Sequence, residues 1–347
     1  MGLLNLFSGQ RSAVIGVAKN CGKTTTLNFM IELYAAEFRD QFELGVCSIG
    51  IDGETSDYLI GTPKPPVRVV EGMWCVSVRS AFDQSDARFE FVEPLSFETP
   101  LGRPVLARVL EAGDLMLAGV RQRADLHEIM SVFEAHGVTR VLIDGAYGRV
   151  AAAHADLVDS VIVSTGAIIS PRPDQVIAKT RELVERLRLP EVETEWEREL
   201  LRASMREERV MVGGETEPPR PLQARSALLA LKELKGSLSA GEDAVAIPGL
   251  VSDKVLDGLM AARSKGTLLV SDGTSIHADA SRFQKFRRHW QVRVLASQKV
   301  LGISVNPTSI TGWKISEEAL LASFDALWPE ITIFNPNHGL HSRGRAR

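Results

Sequence analysis

The chain has 347 residues, 44% hydrophobic and 24% charged, a composition that buries a real core and a length that suits about two domains or one large α/β sheet with an insertion. Its formal net charge of −4 excludes a general attraction to nucleic acid or to acidic membrane surfaces, and no apolar run reaches the length of a membrane span. The three cysteines (Cys21, Cys47, Cys75) form no C-x-x-C pair, which excludes a disulfide framework and a structural zinc and predicts a reducing compartment. The first residues, Met1-Gly2-Leu3-Leu4-Asn5-Leu6, lack a basic n-region and the Ser or Thr of a myristoylation signal, so the expected location is cytoplasmic.

The first predicted strand, Ala13-Val14-Ile15, breaks into a loop that closes on Gly22-Lys23-Thr24. A helix follows, with Leu27, Met30, Ile31, Tyr34 and Phe38 at helical spacing. Strand, loop, Gly-Lys-Thr and amphipathic helix form the sequence context of a phosphate-binding loop, in which backbone N–H groups and a helix N-terminus face polyphosphate. The commonest spacing, G-x-x-x-x-G-K-[ST], needs glycine at position 17, which is Val17 here; the first glycine, Gly16, stands one residue earlier. The candidate nucleotide contacts are Gly16, Lys19, Asn20, Cys21, Gly22, Lys23, Thr24 and Thr25. Lys23 reaches for the β/γ-phosphates and the Thr24 hydroxyl for Mg²⁺. Lys19 is either a second phosphate contact or a solvated loop lysine.

Leu44 to Ile51 reads as a buried strand ending in Asp52-Gly53-Glu54. A carboxylate at the end of such a strand faces the ligand crevice of an α/β sheet, so Asp52 is a candidate to hold Mg²⁺ through water and Glu54 to orient the attacking water. A polar turn is the plain alternative for both. Gly61-Thr62-Pro63-Lys64-Pro65-Pro66 is too proline-rich for helix or central strand and reads as a connector or a clamp beside the nucleotide. From 67 to 117 the pattern is short alternating strands separated by turns, a β-rich elaboration on the sheet edge. A helix from Arg121 to His136 returns the chain to the core.

Val141-Leu142-Ile143-Asp144 is a second signal: an apolar strand ending in Asp matches the Walker B carboxylate that holds the Mg²⁺ shell. Another strand, Val161 to Ser164, and a helix from Asp174 to Leu187 follow. Residues 190–241 are charged and then rich in Gly and Pro, as in a linker or a helical insertion. Strand–helix alternation resumes over 242–347, a C-terminal half that extends the first sheet or forms its own. Within it, Phe283, Phe286 and Trp290 share a helical face with a basic outer side, an amphipathic helix or a docking surface for an acidic partner. The tail from Asn335 is expected to fray, and His338-x-x-His341 lacks the third ligand a metal site needs.

Gly16 through Thr24, the strand ending Asp144-Gly145-Ala146-x-Gly148, and Leu301 to Asn306 resemble the dethiobiotin synthetase type of P-loop protein. The resemblance implies that Asn306, ending a late strand, binds adenine. It departs at Ser48 to Glu54, which holds no lysine for a carboxylated substrate. A closer similarity, spread over nearly the full length, is to the small P-loop subunit of the lysine 5,6-aminomutase reactivase. It is carried by Ala18-Lys19-Asn20-x-Gly22-Lys23-Thr24-Thr25, Ser48-Ile49-Gly50-x-Asp52-Gly53-Glu54, Thr62-Pro63-Lys64-Pro65, Ser164-Thr165-Gly166-Ala167 and Val305-Asn306-Pro307. That resemblance implies an ATP-driven accessory protein working with a larger MutS-like ATPase on a cobalamin-dependent aminomutase. The chain has no D-x-H-x-x-G for cobalamin: after Asp125-Leu126-His127 the glycine position holds Met130.

Together these readings predict an α/β, mostly parallel-sheet P-loop NTPase. A nucleotide-binding domain is expected over 1–189, with its β-rich elaboration at about 67–117, a linker or insertion over 190–241 and the α/β half over 242–347. ATP and Mg²⁺ are the expected cofactors. Lys23, Asp52 and Glu54 are the catalytic candidates, Thr24, Asp52 and Asp144 the metal candidates, and Asn306 the base contact. The expected partner is a protein, with no nucleic acid and no membrane, and an oligomer is left open. The alternatives are a dethiobiotin-synthetase-like ligase, a nucleotide-dependent cofactor or metal chaperone, and a degenerate module that binds ATP without hydrolysing it.

Overall fold

The computed structural model describes residues 3–49, 66–120, 122–145, 158–224, 226–237 and 242–341. The chain divides into two compact units, one of Met1–Ala153, Leu157–Arg181 and Val300–Arg347, the other of His154–Asp156 and Glu182–Lys299.

The first unit opens with β1 (Arg11–Gly16), α1 (Lys23–Glu37) and β2 (Leu44–Ile49). After residue 66 come β3 (Val67–Val69), β4 (Trp74–Val78), α2 (Arg79–Asp83), β5 (Arg88–Pro94), β6 (Pro104–Glu111), β7 (Gly113–Leu115) and β8 (Gly119–Val120). Then follow α3 (Arg123–Ala135), β9 (Arg140–Gly145), β10 (Ser160–Gly166) and α4 (Pro173–Leu187), within which the chain passes to the second unit. That unit holds α5 (Glu195–Glu207), β11 (Met211–Gly213), β12 (Arg220–Pro221), α6 (Ala227–Ser237), β13 (Ala244–Ile247), β14 (Val251–Ser252), α7 (Asp253–Ala262), β15 (Gly266–Val270), β16 (Ile276–His277), α8 (Ala280–Arg287) and β17 (Trp290–Val294). The chain then re-enters the first unit through β18 (Lys299–Asn306), α9 (Glu317–Leu327), β19 (Thr332–Asn335) and β20 (Leu340–His341).

The prediction of a mostly parallel P-loop NTPase sheet is corrected. The molecule is mixed α/β, and among the described residues its large sheet has eleven strands, ordered β20-β19-β18-β10-β1-β9-β2-β4-β6-β5, with β8 also on β2. β4 with β6, β6 with β5 and β19 with β20 run antiparallel. The segment 67–117 is the main reason. Its strands follow one another through short connections, α2 among them, which permits antiparallel pairing, and three of the strands enter the large sheet itself. Their exposure agrees: β5 is exposed or half-buried throughout, whereas β2 and β10 are buried at every residue. β1 lies between β10 and β9 and runs parallel to both, and β9 runs parallel to β2.

One face of this sheet is covered by α1, because Leu27, Met30, Ile31 and Tyr34 recur every three or four residues and all bury. They meet Val14, Leu44, Val46, Leu142 and Ile162, which alternate along their strands and so share that face. Phe334 of β19 joins the same cluster and stacks on Phe29.

The second unit has its own sheet, β12-β11-β13-β15-β17, parallel from β13 through β17. Alternation again sorts the strand residues: Val245, Ile247, Leu268 and Val270 enter one core, Ala244, Ala246 and Leu269 the other. α5, in the stretch read from sequence as a linker or a helical insertion, begins with a capping box: Thr194 Oγ1 accepts from Glu197 N at 3.3 Å while Glu197 Oε2 accepts from Thr194 N.

Two local expectations change. Trp290 does not continue the helix of Phe283 and Phe286. The chain turns at His289 and Trp290 starts β17, paired with Gly266, although its ring still stacks on Phe286 at 5.4 Å. Asn335 to His341 are not frayed: Asn335 is buried, β20 pairs with β19, and His338 Nδ1 lies 3.0 Å from Glu317 Oε2.

Among the described residues no helix is long and apolar enough to cross a membrane.

Candidate nucleotide-binding site

β1 is buried along Ser12 to Ile15 and ends at Gly16, where the chain leaves the sheet. Val17 N donates to Ser164 O of β10 at 3.0 Å, which holds the loop's first step against the neighbouring strand. Lys19 and Asn20 are exposed at the tip. The loop then turns back through two left-handed residues, Asn20 with φ 60° and Gly22 with φ 99°. Asn is one of the few side chains that tolerate this region, and glycine adopts it freely. Gly22 is the residue before α1, so Lys23, Thr24 and Thr25 form the first turn of the helix. No side chain caps that end and its first turn holds no acidic residue, so the positive end of the helix is not neutralised by its own sequence. Such a terminus has the polarity that suits an anion.

Cys21 is buried inside the loop, and burial raises its thiol pKa although the Lys23 charge pulls the other way. It is a neutral packing group there, not a nucleophile.

Two strands far off in sequence complete the surroundings. Asn306, the last residue of β18, lies beside the loop: a Cβ built on Gly22 would stand 3.5 Å from Asn306 Nδ2 and 3.6 Å from its Cβ. Asn306 Oδ1 accepts from Thr308 N at 3.1 Å, and Ala167 N donates to Asn306 O at 2.8 Å. The approach of β10 to β18 is so close that any Cβ at Gly166 would overlap the Asn306 carbonyl oxygen. Beneath the loop, the Thr26 hydroxyl lies 2.9 Å from Gly22 O, 2.9 Å from Ser164 Oγ and 2.6 Å from Ser304 Oγ, all three side chains buried. Helix, loop and both strands are joined at this point.

Asp144, the penultimate residue of β9, is 3% exposed and is paired in register with Val14 of β1 and Ser48 of β2. Alternation puts it on the α1 side of the sheet, one step beyond the apolar layer of Leu142, Val46 and Ile162. Towards the strand ends on that face stand Ser48, Asp144, Ser164 and Ser304, polar side chains beyond the apolar Val46, Leu142 and Ile162. The Asp144 charge also helps raise the pKa of the adjacent Cys47, after burial itself.

Asp52, Glu54 and 62–65 lie outside the described residues. Pro66 is described, and its carbonyl accepts from Asn28 Nδ2 of α1 at 3.2 Å. Among the described residues no three His, Cys, Asp or Glu side chains stand together as a metal cluster. Mg²⁺ does not need one, since it keeps waters and binds through one or two carboxylates plus substrate phosphates. A buried carboxylate on the strand next to the loop, with a Thr hydroxyl in the helix's first turn, fits that donor set.

Sequence reading missed the Thr26–Ser164–Ser304 cluster and Trp313, whose Nε1 donates to Ala167 O at 2.7 Å. The signal for the first was legible: Ser164 and Ser304 are hydroxyls inside otherwise apolar strands. Among the described residues, clefts of about 340 and 510 Å³ lie in the second unit and are lined by none of these residues.

Compared with known proteins, the chain matches no family model, no curated protein and no solved structure.

Proposed function

We propose that this chain is a cytoplasmic ATP-binding protein that hydrolyses ATP with Mg²⁺ and couples the cycle to a change in a protein partner. The observation that carries the reading is the loop of Gly16–Thr24, with left-handed Gly22 opening an uncapped α1 and Asn306 standing against it. Polyphosphate would lie on the loop's N–H groups and the helix end, and Lys23 would neutralise the β/γ-oxygens. Bound Mg²⁺ would supply charge stabilisation to the transferring phosphoryl group. Thr24 and Asp144 are the described residues suited to hold it, with Asp52 as a further carboxylate and Asp52 or Glu54 as the group that orients water. Asn306 suits adenine, because an amide can pair with both N6 and N7. Three buried free thiols agree with a reducing compartment.

The partner is proposed from the resemblance alone: a MutS-like ATPase subunit and a cobalamin-dependent aminomutase. Titration calorimetry with ATP and Mg²⁺, alongside phosphate release, tests the core of the reading. Saturable binding and slow release are expected; no ATP binding in the presence of Mg²⁺ would overturn it.

A further inference from the structure

The loop after Asn306 is organised in a way that phosphate binding does not explain. It folds on itself: Thr308 bridges Lys314, Ser309 N donates to Trp313 O, Gly312 N to Ser309 O, and Ile315 N to Pro307 O. Gly312 takes φ 97° at the turn. This compact loop displays two large apolar side chains, Ile310 at 70% exposure and Trp313 at 38%. Trp313 is the most exposed of the five tryptophans. Its position is nonetheless fixed, because the indole Nε1 donates to Ala167 O. Ala167 N in turn donates to Asn306 O, and Asn306 lies against Gly22. An exposed aromatic ring is thus pinned by its edge three residue contacts away from the candidate nucleotide loop, which is informative where a mobile surface tryptophan would not be.

We propose that the loop 307–314 is a nucleobase platform, on which Trp313 stacks the purine of the bound nucleotide. The proposal rests on the nucleotide reading of the Gly16–Thr24 loop and adds the element that binds the base. A ring held by its N–H edge and 38% exposed presents part of its π-surface, and bases stack on such surfaces whatever their hydrogen-bonding pattern. Selection of adenine then falls to Asn306, whose Oδ1 keeps a second lone pair beyond the Thr308 bond. Ile310, exposed on the same loop, extends the apolar surface that a bound base would cover.

The test compares ATP with inorganic tripolyphosphate, each with Mg²⁺, on the full chain and on Trp313→Ala and Trp313→Phe. In the parent, ATP should bind more tightly than tripolyphosphate and should quench tryptophan emission, an effect missing from Trp313→Phe. Trp313→Ala should weaken ATP about tenfold, Trp313→Phe only slightly, and neither should change tripolyphosphate affinity. Phe keeps a ring face but loses the Ala167 bond, so it separates stacking from loop anchoring. Equal ATP affinity in all three proteins, or parallel losses for ATP and tripolyphosphate, would overturn the platform and leave the phosphate loop standing. A parent that binds neither ligand would overturn both readings.

Discussion

The Thr26 hydroxyl and the Ser304 hydroxyl meet at 2.6 Å although 278 positions separate them, and Ser164 closes the group. Buried hydroxyls left without partners cost about 1–3 kcal/mol. Thr26→Val should therefore destabilise the first unit by roughly that amount, read as a lower urea midpoint for its unfolding. Replacing all three together, with Ser164→Ala and Ser304→Ala, should cost less than the sum of the single changes, since no unpaired partner remains. Strict additivity would mean that the three hydroxyls do not act as one network.

Lys23 opens the helix at the loop, and its ammonium is the charge-assisted contact expected of phosphate. Lys23→Ala should weaken ATP binding by roughly 2–3 kcal/mol in calorimetry while leaving the thermal unfolding of the protein little changed. Equal nucleotide affinity in both proteins would remove the loop from the mechanism.

Asn306 does two jobs in the structure, closing its own turn through Thr308 N and facing Gly22. Asn306→Ala should narrow the preference for ATP over GTP and leave tripolyphosphate affinity nearly unchanged. Competition binding with the two nucleotides reads this directly. A parent protein that prefers GTP would reject the adenine assignment.

Cys21, Cys47 and Cys75 are all buried, and burial raises each thiol pKa above its ordinary value. The sign follows from linkage: a group held neutral in the fold contributes stability in full below its unfolded pKa, near 8.5 for a thiol, and loses it as pH rises towards the folded value. Urea midpoints should fall as pH climbs from 8 to 10, and Cys47→Ala should reduce that slope. A slope unchanged in Cys47→Ala would show that this thiol ionises without unfolding. At neutral pH the same burial predicts slow labelling of all three by thiol reagents.

Gly166 and Asn306 bear on how closely β10 and β18 approach. Gly166→Ala places a methyl group on the Asn306 carbonyl and should cost about 1–3 kcal/mol through forced backbone shifts. It should also weaken ATP binding, because Asn306 moves with its carbonyl. Wild-type affinity in a folded Gly166→Ala protein would detach Asn306 from the site.

The sequence alone determined those elements whose pattern is local. β1, the loop through Thr24, α1, β9 ending near Asp144 and β18 ending at Asn306 are each announced by an apolar run, a turn residue or a helical period. α9 is announced by Ser316, whose Oγ accepts from Ala319 N. Only the tertiary structure decided which strands lie side by side. The strands of 67–117 that enter the large sheet do lie at its edge, but their alternation reads the same for parallel and antiparallel neighbours, because period two records exposure and not the direction or identity of the neighbour. For the same reason the parallel frame expected from sequence gave way to a mixed one. Trp290 shows the limit on a single residue: its spacing from Phe286 suits a helix, but pairing with Gly266 makes it a strand. The meeting of Gly22 with Asn306, and of Thr26 with Ser164 and Ser304, is non-local in the strongest sense. Each residue type was visible, yet no local pattern encodes a contact that exists only after β10 has paired with β1 and β18 has taken its place on the far side of β10.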